Sequence, residues 1–222
     1  MARPLISTKL FIPRARRHVV TRPRLLDRLR RGTESRLTLV SAPAGFGKTT
    51  LLAEWLGGKE EDHRRIAWFS LDAADSDPAS FWTYVVSALQ KAVPGVGGSA
   101  LELIALSDVS TESVLTMVLN DLAMAPDDVW LVLDDYHLVD SHEVANGMVV
   151  LLDHLPSHVH VMISTRTDPE LPGVRTAAAD TEQARLSSSL VIPPQVAGGL
   201  EAHGCHPLHD SFPPRRDKLK RS

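Results

Sequence analysis

The stretch Leu37-Thr38-Leu39-Val40-Ser41 runs directly into Ala42-Pro43-Ala44-Gly45-Phe46-Gly47-Lys48-Thr49-Thr50, and that into Leu51-Leu52-Ala53-Glu54-Trp55-Leu56. The apolar run reads as a buried strand, the small-residue segment as a tight loop, and the last segment as a helix that begins at the lysine. Strand, glycine loop and helix N-terminus in that order make a phosphate cradle. Backbone N–H groups turn inward, the helix end adds positive dipole, and glycine leaves no Cβ where a phosphate approaches. The full pattern is G-x-x-x-x-G-K-[ST], and Ala42 stands where its first glycine would be. Ala44, Gly45, Phe46, Gly47, Lys48, Thr49 and Thr50 are therefore the candidate phosphate-binding residues. Lys48 would reach the β- and γ-phosphates, and the Thr49 hydroxyl would ligate Mg²⁺.

Outward from this loop, short apolar runs alternate with helical stretches, the pattern of an α/β fold with a mostly parallel sheet flanked by helices. Residues 66–70, 129–134 and 159–164 supply three further strands, apolar enough to be buried on both faces. Asp77-Pro78 caps a helix whose Phe81, Val85, Leu89 and Val93 recur every four residues, and Ser110 caps another through Leu115, Val118 and Leu122. Asp140 with Glu143 reads as a capping box for a helix over residues 141–155. Residues 23–31 form a short helix with Leu25, Leu26 and Leu29 inward and its arginines outward, ended by Gly32. Residues 3–20 before it read as extended. Trp55, Trp68, Trp82 and Trp130 sit in apolar runs and read as core.

Two strand ends carry polar chemistry. In Trp130-Leu131-Val132-Leu133-Asp134-Asp135 a carboxylate closes a buried parallel strand, the edge of an open α/β sheet where ligands bind. There Asp134 can hold the Mg²⁺ that Thr49 touches, and Asp135 is the candidate to polarise an attacking water. Aspartate is shorter than glutamate, so slow hydrolysis at best is expected. After the last strand comes Ser164-Thr165-Arg166-Thr167-Asp168-Pro169. Arg166, at the tip of the strand expected beside the P-loop strand, can sense a γ-phosphate.

Charge divides the 222 residues into three: 1–36 carry +9, 37–172 carry −14 and 173–222 carry +2, for a net −3. The first piece is a basic N-terminal arm with its short helix, and packing against the acidic body accounts for it better than nucleic acid, since no base-reading motif accompanies it. The second is the P-loop core. The third mixes Ser187-Ser188-Ser189, Pro193-Pro194 and Gly198-Gly199 with one apolar triplet, Leu190-Val191-Ile192, and is expected to be poorly ordered. His203, Cys205, His206 and His209 lie in it without a folded frame, so a zinc site is not expected. One cysteine excludes an intramolecular disulfide and fits a reducing cytoplasm, and no apolar run approaches the roughly 20 residues that span a bilayer.

The motifs together resemble the N-terminal ATPase module of the large ATP-binding LuxR-type transcriptional regulators, the MalT group within the STAND signal-transduction NTPases. The resemblance rests on Thr8-Lys9-Leu10, Thr21-Arg22-Pro23-Arg24-Leu25-Leu26, the Ser41–Leu51 loop segment, Trp68-Phe69-Ser70-Leu71-Asp72, Leu133-Asp134-Asp135-Tyr136-His137 and Ser164-Thr165-Arg166-Thr167-Asp168-Pro169, across residues 5–172. It implies an ATP/ADP switch: an ADP-bound resting form that opens with inducer and ATP, self-associates, and activates transcription through a DNA-binding domain. It also implies that Arg166 senses nucleotide and that the segment around Val20 and Arg22 lies near the base. Inducer and DNA would be bound by domains for which residues 173–222 leave no room. A truncation or frame change near Gly173 is one account of that tail. The rival readings are a free-standing P-loop enzyme such as a small-molecule kinase, which would need lid arginines, and a fragment without function. Residues 92–172 offer Arg166 alone for such a lid.

Overall fold

The computed structural model describes residues 4–14, 22–32, 35–57, 64–106, 109–167 and 187–191. Five parallel strands form one sheet in the order β2-β3-β4-β1-β5. They are β1 (Leu37–Ser41), β2 (Arg65–Ser70), β3 (Val129–Asp134), β4 (Val159–Thr165) and β5 (Ser187–Val191). Alternation along each strand divides the core in two. Val129, Leu131 and Leu133 of β3 face one layer with Phe69 and Ile163, while Trp130 and Val132 face the other with Trp68 and Met162. The first layer is covered by α3 (Pro78–Ala92), α4 (Gly98–Ile104), α5 (Thr111–Ala123) and α6 (His142–Asp153), the second by α1 (Pro23–Gly32) and α2 (Lys48–Leu56). All four tryptophans are core, none more than 5% exposed. No helix among the described residues is long and apolar enough to cross a membrane.

The capping chemistry sets where the helices start. Asp77 accepts the Ser80 N–H with Pro78 at the first position of α3, and the Ser110 side chain accepts the Ser113 N–H at α5. At α6 the cap is Ser141, not Asp140: Ser141 accepts from Val144, and the Asp140 N–H donates instead to Ser76 Oγ at 3.0 Å. The expected capping box is thus replaced by a one-residue shift, because Asp140 is held by the loop after β2. Helix α4 escaped the sequence reading. Its cap is Gly97, in the left-handed region at φ +77°, where an added Cβ would meet Val86 Cγ1 at 2.3 Å.

One expectation about the ends needs correction, and one element is added. Within the arm, read as extended, Ser7–Leu10 is a 3-10 turn, and it packs on β2. Lys9 explains the turn: its ammonium reaches Asp72 at 2.8 Å and Asp75 at 2.7 Å and lies 4.9 Å from the centre of the Tyr84 ring. Ile6 N–H donates to the Tyr84 hydroxyl at 3.0 Å, and Lys91 Nζ donates to the Leu10 carbonyl at 2.8 Å. Residues 6–10 of the arm therefore lie against the body that carries Asp72, Asp75 and Tyr84. In the segment after residue 172, Ser187–Val191 joins the sheet as β5 beside β1, a strand that the sequence reading does not name, and α1 packs against it. A strand of three serines becomes regular because β1 offers a complete parallel ladder.

Candidate functional site

The strand order builds the site. Strand β4 separates β1 from β3, so the loop after β1 and the carboxylate ending β3 face each other across the tip of β4. Asp134 shares the strand face of Trp130 and Val132, the face covered by α2. Thr49, in the first turn of α2, meets it there: Thr49 Oγ1 donates to Asp134 Oδ2 at 2.8 Å. Ser164 at the tip of β4 donates its hydroxyl to Asp134 Oδ1 and accepts the N–H of Asp135 at 3.0 Å. Asp134 is 3% exposed and Ser164 fully buried. Burial raises the Asp134 carboxyl above its ordinary range, against the two hydroxyl hydrogen bonds that favour the anion.

In the loop, Gly45 and Gly47 both take positive φ, +80° and +77°. Gly47 is the N-cap of α2 and supplies no capping side chain, which leaves the helix's first N–H groups free for a ligand. Lys48 is 6% exposed and spans the loop, its Nζ donating to the carbonyls of Ala42 at 2.8 Å and Pro43 at 3.3 Å. Its pKa is lowered, first by burial and then by the Arg166 charge, with Asp135 and Asp134 opposing. Ala42 is 2% exposed with its methyl in the α2-side core, and its backbone stays outside the left-handed region. That position therefore has no need of glycine, which removes the mismatch with the P-loop pattern. Ala44 and Gly45 are exposed, and Phe46, Gly47, Thr49 and Thr50 are half-buried.

Asp135 follows β3 in the left-handed region at φ 61°, ψ 39°, the one non-glycine residue with positive φ among the described residues. Its carboxylate is half-exposed. Arg166 is exposed just beyond β4, and its charge is felt by both Lys48 and His137. His137, which the motifs leave without a role, also belongs to this cluster. Both ring nitrogens are buried without a hydrogen-bond partner, and Nδ1 lies 3.9 Å from Asp135 Oδ1. Burial, then Arg166 and Lys48, lower its pKa against the pull of Asp135. Only its spacing two residues after Asp135 could have pointed to it. Arg22 caps α1 through its carbonyl and reaches the loop, donating Nη1 to the Phe46 carbonyl at 3.0 Å. Val20 and Asp168 lie outside the described residues.

A five-stranded parallel sheet with a P-loop after β1 and an acidic β3 end defines a P-loop NTPase domain. The chain belongs to the AAA domain family, which matches residues 30–171. It is 37% identical over 169 residues to the HTH-type transcriptional regulator MalT of Cronobacter sakazakii, covering 75% of this chain and 18% of that protein. The MalT proteins of Serratia proteamaculans and Vibrio cholerae are 37% identical over 171 residues and 33% over 167, with the same coverage. The chain thus spans about a fifth of the length of these relatives. A solved STAND protein with a tetratricopeptide repeat sensor, from Pyrococcus horikoshii, superposes with a TM-score of 0.45 at 14% identity, covering 81% of this chain and 24% of that one.

Proposed function

We propose that this chain is the nucleotide-binding switch module of a MalT-like transcriptional regulator, taking ATP or ADP with Mg²⁺ at the Lys48 loop. The observation that carries the reading is the Thr49–Asp134 hydrogen bond at 2.8 Å between residues 85 apart. It supports a metal site, because a buried carboxylate whose partners are hydroxyls has oxygens suited to a hard cation. Mg²⁺, when bound, supplies positive charge to the β- and γ-phosphate oxygens. The chain's own residues do the rest. The Gly45–Thr50 backbone receives phosphate oxygens, Lys48 exchanges the Ala42 and Pro43 carbonyls for phosphate, and Thr49 and Asp134 are the metal-side ligands. Asp135 polarises water, and Arg166 reports the γ-phosphate from the tip of β4. Hydrolysis is slow, since the short Asp135 side chain starts from a strained backbone. In the intact regulator, ATP favours self-association and an inducer acts through other domains, with DNA bound elsewhere than on this chain. A cytoplasmic setting fits that role.

Titration with ATP and ADP, with and without Mg²⁺, on the chain and on Lys48→Ala tests this reading. Micromolar binding lost in Lys48→Ala is the expected outcome, and equal affinity in both proteins rejects the phosphate site. Multiple-turnover transfer of phosphate to a small metabolite would point to an enzyme instead of a switch.

A further inference from the structure

We propose that Arg22 is a positioning residue of the phosphate loop: by holding the Phe46 carbonyl it orients the N–H of Gly47 toward the bound phosphate. The inference rests on the phosphate-binding reading of the Lys48 loop. Its basis is the planarity of one peptide unit. The Phe46–Gly47 bond is trans, as are all peptide bonds described, so the Phe46 C=O and the Gly47 N–H point in opposite directions. Fixing one fixes the other.

Arg22 does the fixing from outside the loop. Its Nη1 donates to the Phe46 carbonyl at 3.0 Å, and its Nη2 lies 4.0 Å from where a Cβ on Gly47 would be. The guanidinium therefore lies along the Phe46–Gly47 peptide, while Lys48 ties the opposite limb of the loop through Ala42 and Pro43. The peptide needs such a hold. Gly45 and Gly47 both sit at positive φ, and neither carries a side chain to restrain the turn. The Phe46–Gly47 peptide ends on a glycine, whose φ can invert at little steric cost, and a flipped peptide would present its carbonyl to the anion. A hydrogen bond from a charged donor is strong enough to bias that choice.

The anchor for Arg22 is well built. Its carbonyl accepts the N–H groups of Leu25 and Leu26 at the start of α1, and Leu29 of that helix is fully buried in the α2-side core. Loop orientation is thereby tied to the seat of α1 against α2 and β5. This differs from a direct contact between Arg22 and the nucleoside, and the two make opposite statements about ligands that have no base.

The test uses Mg²⁺ with inorganic pyrophosphate, ATP and GTP as calorimetric probes on the full chain, its Arg22→Ala and Arg22→Gln variants, and Lys48→Ala. Arg22→Ala should weaken all three ligands by a common factor of about tenfold, the scale of one charge-assisted hydrogen bond. Arg22→Gln keeps an amide donor for the Phe46 carbonyl and should recover most of the loss. Without ligand, the Gly47 amide resonance should move in Arg22→Ala and return toward its original position in Arg22→Gln, a readout that separates loop orientation from general loss of fold. Unchanged pyrophosphate binding with weakened ATP would overturn the proposal in favour of contact with the nucleoside. An Arg22→Gln variant as weak as Arg22→Ala, with the deficit vanishing at high salt, would overturn it in favour of long-range charge. Intact pyrophosphate binding in Lys48→Ala would instead reject the underlying phosphate site, whatever Arg22 does.

Discussion

Asp75 and Asp134 are equally hidden, 1% and 3% exposed, yet the molecule treats them in opposite ways. Asp75, in the turn after β2, receives the Lys9 ammonium through both oxygens at 2.9 and 2.7 Å and the Asp72 N–H at 2.8 Å. Its charge is cancelled inside the fold, and Lys9 keeps a pKa above its ordinary value because Asp72 and Asp75 outweigh the opposing effect of burial. Asp134, at the end of β3, is met by hydroxyls from Thr49 and Ser164. Hydroxyls can orient a carboxylate but do not neutralise it. One buried carboxylate is complete within the chain and fastens the arm. The other is oriented by hydroxyls and feels Lys48 only through its charge, without an ion pair, as suits a site for a cation.

The largest effect that could break the contrast is on the Asp75 side. Lys9→Met leaves Asp75 as a buried charge without a counterion, which should cost about 3–5 kcal/mol of stability in urea unfolding. Adding Asp75→Leu should return most of that loss, since removing both partners of a buried pair is often near neutral. A loss below about 1 kcal/mol for Lys9→Met would mean that water reaches Asp75, and the parallel with Asp134 would fail.

How far the sequence disclosed this arrangement depends on whether local chemistry or a distant partner decides each part. Strand β3 was legible to its last residue, because an apolar run ending in Asp134-Asp135 has no other comfortable conformation. The caps Asp77 and Ser110 were legible for the same local reason. Strand β5 was not, since Ser187-Ser188-Ser189 becomes a strand only against β1. The 3-10 turn at Lys9 depends on carboxylates more than 60 residues away, as its hydrogen bond to Asp75 spans 66. In the site, motifs mark Lys48, Thr49, Asp134 and Asp135, whereas no motif assigns a role to Ser164 or His137. Ser164 acts through a contact to the neighbouring strand, and His137 through the charges of Asp135, Arg166 and Lys48 that the fold gathers around it.

Ser164→Ala probes the hydroxyl side at intermediate scale. Ser164 Oγ serves Asp134 and the Asp135 N–H together, so its loss leaves two buried polar groups short of a partner and should cost about 1–3 kcal/mol. Because the Asp135 N–H is one of them, Mg-dependent nucleotide affinity should fall alongside stability. A stability loss with nucleotide affinity untouched would separate the hydroxyl from the site.

Asp134→Asn should have the smallest effect on stability, and its pH dependence tests the contrast most closely. A carboxyl whose pKa is raised in the folded state binds its proton more tightly there than in the unfolded chain, so protonation favours folding. That contribution is full below the ordinary value of 3.8 and is lost as pH climbs through the raised one. Once ionised, Asp134 is a standing cost that asparagine does not carry, while the asparagine oxygen still accepts a hydroxyl. Asp134→Asn should therefore match the parent in acid and equal or exceed its stability at pH 7, with any cost under about 1 kcal/mol. Lys9 behaves conversely, since its contribution is present below 10.5 and disappears as pH rises past its raised value. Saturating Mg-ATP at about 100 times its Kd should stabilise the parent by about 2.7 kcal/mol and Asp134→Asn by far less. A variant that loses several kcal/mol at pH 7 without ligand would show Asp134 compensated within the fold, as Asp75 is, and the difference between the two carboxylates would vanish.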